Sequence, residues 1–315
     1  MTRRIGVVMD PIDRVNTAKD TSYALMLAAQ ERGMRLVYIE PSDIYMLDGR
    51  VYARAQYASV NRNIQQWYSL LSKEVFALDE LDVILLRKDP PFDQEYLYLT
   101  YLLERAQSHG AWVINDPKAV RSANEKLFTA WFSEFTPPTL VTCDMIRLRA
   151  FLETFQSIIV KPLDGMGGAS IFHIRLGDTN TNVILETMTQ HGRRTVMAQK
   201  YLPEIVHGDK RVLVVYGEPM PYALARIPAD GESRGNLAAG GRAEARPLTT
   251  RDRQIAEQLG PVLRDQGLCF VGLDIIGDYL TEINVTSPTC VQELERAYDY
   301  SITDRFFARI EMHWS

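Results

Sequence analysis

Lys161 follows an apolar run and stands just ahead of Gly165, Gly167 and Gly168, in the stretch IIVKPLDGMGGAS over residues 158–170. Glycines without a Cβ let a backbone close on an anion and turn its N–H groups inward, and a neighbouring ammonium supplies the opposite charge. The stretch suits a phosphate cradle, although a glycine cluster between two strands is also what a plain hairpin needs. Because the lysine precedes the glycines and no helical pattern opens after them, neither the P-loop nor the dinucleotide fingerprint applies. A second set is Asp274, Glu282 and Asn284. Residues 270–276 and 280–286 read as strands about a turn at 277–279; with the hairpin centred on Asp278, Asp274 falls opposite Glu282 and alternation puts Asn284 on the same face. Oxygen donors without imidazole or thiolate suit a hard cation such as Mg²⁺, held together with phosphates. The alternative is a pair of solvent-facing acids on an edge strand; that the acids interrupt strongly apolar strands favours the cation.

These sets need a scaffold. Residues 5–9 form an apolar, β-branched run that reads as a buried strand, followed by the loop DPIDRVNTAKDTS and an amphipathic helix over about 22–32 that Gly33 stops. Strands at 36–39 and 83–86, a helix over about 94–108, Gly110 and a strand at 112–114 continue the alternation. That rhythm predicts parallel strands with crossover helices, and ligands beyond the strands' carboxyl ends, at the loops opening at Asp10 and at Arg87 in RKDPPFD. Asp10, Lys19, Asp20, Arg87, Lys88 and Asp89 there suit either a charged substrate or simple solvation. No G-x-G-x-x-G follows the first strand, so this half is not where a dinucleotide binds.

The polar connector NDPKAVRSAN, 115–124, holds the expected domain boundary. After it come a helix capped by Asn124 that carries Lys126, Leu127, Phe128, Trp131 and Phe132 and ends before Pro137, then strands at 139–141, 157–160 and 171–174, with helices over about 145–154 and 184–190. VMAQKYLP ends in Gln199, Lys200, Tyr201 and Leu202, a segment able to offer backbone groups to a purine edge or merely to link two lobes. Asp209 and Arg211 introduce RVLVVYG, and Arg226 lies near the end of PYALARIP. Residues 228–241, PADGESRGNLAAGG, are long and glycine-rich for a loop in a compact domain, which predicts a lid, with Arg234 in it, over the reacting groups.

The length of 315 residues accommodates two domains, and a net charge of −5 without any basic run argues against nucleic acid as a partner and for a small molecule. Cys143, Cys269 and Cys290 are odd in number, far apart and outside any C-x-x-C, which suits free thiols in a reducing compartment, the cytoplasm. The apolar run near the N-terminus is short and broken by Asp10, so it is not a signal peptide, and no segment is long enough to cross a membrane.

In sequence order, Lys126, VKP with Lys161, DGMGGAS, the hinge at Gln199, Asp274, and TEIN with Glu282 and Asn284 resemble the ATP-grasp ligases. MDPI, RKDPPFD, NEKLFTAWF, KPLDGMGGASIF, DKRVLVV, RGNLAAGGR and GLDIIGDYLTEINVTSPT are similar, over nearly the whole chain, to the bacterial glutathione synthetase family. The resemblance implies an α/β fold, with a Rossmann-like N-terminal, substrate-binding domain over 1–121 and an ATP-grasp domain of two α+β lobes over 122–315, the lid lobe at about 124–202 and the metal-binding lobe at about 203–315. It implies ATP-dependent ligation of γ-glutamylcysteine to glycine through an acyl phosphate, giving glutathione, ADP and phosphate, with ATP as co-substrate, Mg²⁺ or Mn²⁺ as the metal, and a homotetramer.

Carried over by position, the resemblance puts Lys126 and Lys161 on phosphates, covered by Gly165, Met166, Gly167 and Gly168. It puts Gln199, Lys200, Tyr201 and Leu202 on adenine, Asp209 on the ribose, and Asp274, Glu282 and Asn284 on the metal. Arg211 and Arg226, with Lys161, take the catalytic charge-stabilising roles; Ser287, Thr289, Gly240 and Gly241 lie near substrate carboxylates. Arg234 also falls on the substrate side, and Asp10, Lys19 and Ser22 are the expected contacts of γ-glutamylcysteine. Two other readings stay open: a different ATP-grasp carboxylate–amine ligase, and a nucleotide-binding regulatory module without turnover, against which the retained charged residues argue.

Overall fold

The computed structural model describes residues 2–165, 168, 170–229 and 241–314. Met166, Gly167, Arg234, Gly240 and most of the expected lid lie outside the described residues.

The first sheet begins with β1 (Arg4–Val8), followed by α1 (Thr21–Glu31) and β2 (Arg35–Ile39). Asp20 caps α1 by accepting from the N–H of Tyr23 at 2.8 Å, and Gly33, at φ 74°, turns the chain back toward β2. Four strands that the sequence reading does not name come next: β3 (Ile44–Leu47), β4 (Arg50–Val60), β5 (Tyr68–Leu70) and β6 (Glu74–Ala77). They extend the sheet in antiparallel pairings about β4, which itself pairs antiparallel with β2. β7 (Val83–Leu86), α2 (Gln94–Gln107) and β8 (Val113–Ile114) restore the expected rhythm. β2, β1, β7 and β8 are neighbours in that order and parallel, so the buried, continuous apolar strands pair as their patterning predicts.

The connector after β8 is more ordered than a linker. It forms α3 (Pro117–Ser122), capped by Asp116, and buries Asn115, whose side chain donates to Phe270 O and Val285 O, each at 2.8 Å. The segment beyond, Leu127–Phe135, is a 3-10 helix interrupted at Phe132, not the expected regular helix, with the Asn124 side chain accepting from Leu127 N. A four-stranded antiparallel sheet then forms from β9 (Thr139–Thr142), α4 (Met145–Phe155), β10 (Ser157–Pro162), β11 (Phe172–Arg175), α5 (Thr181–Thr189) and β12 (Val196–Lys200), in the strand order β11-β10-β12-β9.

The last sheet is five-stranded and antiparallel, in the order β15-β14-β13-β16-β17. Its parts are β13 (Asp209–Val215), β14 (Glu218–Ile227), β15 (Arg242–Pro247), α6 (Thr250–Asp265), β16 (Phe270–Ile276) and β17 (Tyr279–Asn284). α7 (Val291–Ala297) and α8 (Ile302–His313) close the chain. Phe306, Phe307 and Ile310 of α8 are buried in one core with Ile5 and Val7 of β1 and Leu213 and Phe270 of the five-stranded sheet, so the two sheets are joined through a shared apolar interior. No helix among the described residues is long and apolar enough to cross a membrane.

Candidate active site

A cavity of about 330 Å³ opens between the four-stranded and five-stranded sheets. Lys126, Lys161, Gly165, Gly168, Gln199, Lys200, Tyr201, Leu202, Asp209, Arg211, Arg226, Asp274, Glu282, Asn284, Ser287 and Thr289 all line it. The structure does not bring Asp10, Lys19, Ser22 or Gly241 into that wall. Lys19 is exposed, and the Ser22 hydroxyl, buried, accepts from Arg87 Nε at 3.1 Å. Asp10 instead accepts from the N–H of Asp89, at 2.8 Å, and Asp89 does line the cavity. The loop after β7 thus reaches the site through Asp89, one of the charged residues named for it, while the loop after β1 stays outside the cavity lining and touches that loop through Asp10.

Asp274 and Glu282 stand opposite each other across β16 and β17, as the sequence predicts, but for a different reason. The turn pairs Ile276 with Tyr279 and Ile275 with Leu280, a register that carried on unchanged would set Asp274 against Thr281. An irregularity between Asp274 and Ile275 shifts the pairing by a residue and restores Asp274 to Glu282. Thr281 then turns its hydroxyl to Asp274 O at 3.1 Å.

Like charges on paired strands need compensation, and here four cations give it. Asp274, 3% exposed, accepts from Arg211 Nε at 2.5 Å and Nη2 at 3.0 Å, and lies 2.8 Å from Arg226 Nη2. Burial opposes its ionisation, but the two guanidinium groups outweigh that and hold the carboxyl well below its ordinary range. Glu282 lies 3.7 Å from Lys126 Nζ and 3.6 Å from Lys161 Nζ. Burial pulls the Lys161 ammonium down, Glu282 pushes it back up, and Lys126 adds a further downward pull. Asp209 pairs with Arg226; its carboxyl is pushed up to about 6, first by burial, which Arg226 only partly offsets, and then by Asp274 and Glu282.

The arginines have room because of Gly272. A Cβ there would come within 2.7 Å of Arg211 Cδ and 3.1 Å of Pro288 Cβ, so the side chain of Arg211 crosses β16 where only hydrogen stands. The sequence reading missed this glycine, as it missed Glu125, whose carboxyl accepts from Val285 N, Thr286 N and Thr286 Oγ1 beside the cavity. Gly272 precedes the acid in GLD and Glu125 precedes the lysine in NEK, so adjacency was the available signal for both.

Lys126 does not belong with the four-stranded sheet. Phe128, Phe132 and Phe135 beside it are buried in the core that holds Val212, Leu273 and Ile275 of the five-stranded sheet, and only Lys161 comes from the opposite wall. The walls meet where Lys161 Nζ donates to Thr281 O at 3.2 Å and Lys126 Nζ to Gly165 O at 2.6 Å. Ile159, Ile171, Leu202, Ile205 and Ile276 give the cavity apolar lining, together with Tyr201, whose ring stacks on His173 at 3.9 Å between centroids. The N–H groups of Lys200 and Tyr201 are taken by Pro138 O and Ser157 O, each at 3.0 Å.

Glu282 and Asn284 suit a hard cation by their donor type, while Asp274, on the same face, has both oxygens engaged by Arg211 and Arg226. No group of three or more His, Cys, Asp or Glu able to hold a metal gathers among the described residues. Two carboxylates and one amide oxygen are the sparse set that Mg²⁺ takes when phosphates complete its shell. Asn284 Nδ2 donates to Gly272 O at 3.1 Å, which directs the amide's donor end into the sheet. Asp209 Oδ1 and Arg226 Nε are buried without partners, as polar atoms are where a bound molecule completes their hydrogen bonds.

The chain matches the model of the prokaryotic glutathione synthetase N-terminal domain over residues 4–121 and that of the prokaryotic glutathione synthetase ATP-grasp domain over 125–299. It is 57% identical over 308 residues to a glutathione synthetase of Escherichia coli O127:H6, covering 98% of each chain. A glutathione synthetase of Vibrio cholerae is 55% identical over 308 residues, covering 98% of this chain and 97% of the other. Among solved structures, the D-cycloserine synthetase DcsG superposes with a TM-score of 0.67 at 18% identity over 98% of this chain and 99% of that one. The D-alanyl-alanine synthetase A of Vibrio cholerae does so at 0.60 and 13%, over 99% and 98%. At such identities the structural likeness speaks to the fold, a mixed α/β ATP-grasp architecture.

Proposed function

The chain belongs to the prokaryotic glutathione synthetase family, an ATP-dependent ligase that makes glutathione, and we propose that the cavity between its sheets joins γ-glutamylcysteine to glycine with the residues described above. The observation that carries the residue roles is the charge arrangement: Lys126 and Lys161 both within 3.7 Å of Glu282, and Arg211 and Arg226 both on Asp274, in one cleft. A cleft lined both by cations and by apolar side chains suits a nucleotide, base against the apolar lining and phosphates among the lysines.

In this reading residues 1–121 are the substrate-binding domain and 122–315 the catalytic one; of the lobes expected near 124–202 and 203–315, the first begins at β9, since Phe128, Phe132 and Phe135 share the core of the second. Lys126 and Lys161 take phosphate oxygens, Gly165 and Gly168 flank them, Gln199, Lys200, Tyr201 and Leu202 line the adenine site, and Asp209 takes the ribose. ATP works with a divalent metal; Mg²⁺ or Mn²⁺ would be held by Glu282, Asn284 and Asp274, the last of which also keeps both arginines. When bound, the ion supplies neutralisation of phosphate charge.

The cysteinyl carboxylate attacks the γ-phosphorus, ADP leaves and an acyl phosphate forms. Glycine's amine then adds to the acyl carbon, loses a proton, and phosphate departs as the amide forms. Neither step needs a covalent bond to the protein; what the chain supplies is alignment and compensation of charge. Arg211, buried, and Arg226, half-buried, balance the acyl phosphate and the tetrahedral oxyanion where the interaction is less screened than in water. Ser287 and Thr289, which line the same cavity, would take the substrate carboxylates. A cytoplasmic homotetramer is part of this reading and is tested by sedimentation.

The deciding assay is ADP release with γ-glutamylcysteine, glycine, ATP and Mg²⁺, each omitted in turn. Full turnover is expected only with all four. ADP release supported equally by D-alanine, or by peptide and glutamate, would move the chain to another carboxylate–amine ligase.

A further inference from the structure

We infer that Glu125 is a positioning residue that fixes the phosphate-binding Lys126 against the strand bearing Glu282 and Asn284 and against the loop that starts at Thr286. This rests on the reading of Lys126 as a phosphate contact. One oxygen, Oε1, accepts from Val285 N at 2.9 Å, Thr286 N at 3.1 Å and Thr286 Oγ1 at 2.8 Å, and the backbone oxygen of the same residue accepts from Ile283 N at 2.8 Å. These contacts run along the end of β17, from beside Glu282 to the loop that brings Ser287 and Thr289 into the cavity. Lys126, the next residue, spans from Gly165 O at 2.6 Å to Glu282 at 3.7 Å. Glu125 thus ties three parts of the site into one rigid unit: the lysine, the metal-side strand and the substrate-side loop.

An anchor that was only structural would be better made neutral. A carboxylate here lies close enough to Glu282 to be repelled by it, and an amide or hydroxyl could accept from the same N–H groups without that penalty. A charged acceptor makes shorter, stronger hydrogen bonds to backbone N–H than a neutral one. It gives the tighter hold where a displacement of about 1 Å can cost about 10²-fold in rate.

The test is a double-mutant cycle. Glu125→Ala, Lys126→Ala and the pair are compared by kcat and KM for ATP and by calorimetric affinity for ADP, with Glu125→Gln and Thr286→Val as milder variants. Glu125→Ala should lower kcat about 10²-fold, Glu125→Gln, which keeps the acceptor but not its charge, should recover only part of it, and Thr286→Val, which removes one of the three donors, should lose less than either. In the Lys126→Ala background, loss of Glu125 should add little, since the two act at one contact. If Glu125→Ala does not fold, Glu125→Gln completes the cycle. Additive losses, or a Glu125→Ala enzyme with unchanged kcat and ADP affinity, overturn the inference. The ADP-binding arm keeps this separate from the functional reading: if the wild type released ADP with other acceptors, the cycle on ADP affinity would still decide the role of Glu125.

Discussion

The four-stranded sheet that supplies Lys161 packs on a core of its own, made of residues such as Leu148, Leu152, Ile158, Val160, Leu185 and Val196. The five-stranded sheet opposite, with Arg211, Arg226, Asp274 and Glu282, has no such separateness. Val212, Val214 and Leu273 share a core with Val8, Val37 and Phe128, and Leu213, Val215 and Phe270 share another with Ile5, Leu25 and Phe306. One wall of the cleft is therefore welded to the N-terminal sheet on both faces, and the other is an independent body touching it through a few polar contacts. The wall that must keep carboxylates and guanidinium groups in register is the one that cannot shift without disturbing two cores, while the opposite wall can be repositioned as a unit.

That contrast can be broken at its centre. Glu282→Ala leaves Lys126 and Lys161 without their shared counter-charge and removes the proposed metal donor, so ADP release should fall about 10³-fold while the melting transition moves far less. Turnover near that of the wild type would sink the assignment of the acid wall. Leu185→Ala, in the separate core, should destabilise by about 2–5 kcal/mol, with hydrogen exchange rising in residues 139–200 and protection kept in the N-terminal strands. Phe306→Ala should instead loosen the N-terminal and five-stranded sheets together; loss of protection everywhere in both variants would show that the separateness is not real.

Finer changes sharpen the picture of the fixed wall. Gly272→Ala should push Arg211 off β16 and reduce kcat by about 10²-fold with a smaller change in KM for ATP. An unchanged kcat would mean that Arg211 tolerates displacement. The smallest effect concerns pH. Asp209, with its carboxyl at about 6, is neutral below that value and ionised above it, so its balance of Arg226 is lost as the pH falls through 6. KM for ATP should rise several-fold on that acid limb, and Asp209→Asn should remove the dependence; a limb that persisted in the variant would have to come from another group.

The parallel strands of the first sheet were legible because each is a continuous apolar run with a helix between, a pattern with few alternatives. Of the strands over residues 44–77, Ile44–Leu47, with its exposed Tyr45, Met46 and Leu47, buries too little to leave a periodic signal, whereas the long Arg50–Val60 does alternate but buries mostly small residues, Val51, Ala53 and Ala55, among polar ones. In the site, Lys161, Arg211, Arg226, Asp274 and Glu282 stood out because charge in apolar strands is conspicuous. Gly272 and Glu125 did not, because one acts by lacking a side chain and the other by gripping a backbone distant in sequence.

What the chain's residues settle unaided is chemical type and strand phase: ammonium, guanidinium and carboxylate groups placed on the inward positions of strands whose alternation is local. Which of these groups meet is decided by tertiary structure. The irregularity that returns Asp274 to Glu282, the pairing of Arg211 and Arg226 with Asp274, and the seating of Lys126 on the acid wall all depend on contacts between segments far apart in the chain. Side-chain direction is fixed by the residue's own backbone, whereas a partner is fixed only when strand register and core packing bring the second backbone to within hydrogen-bonding distance.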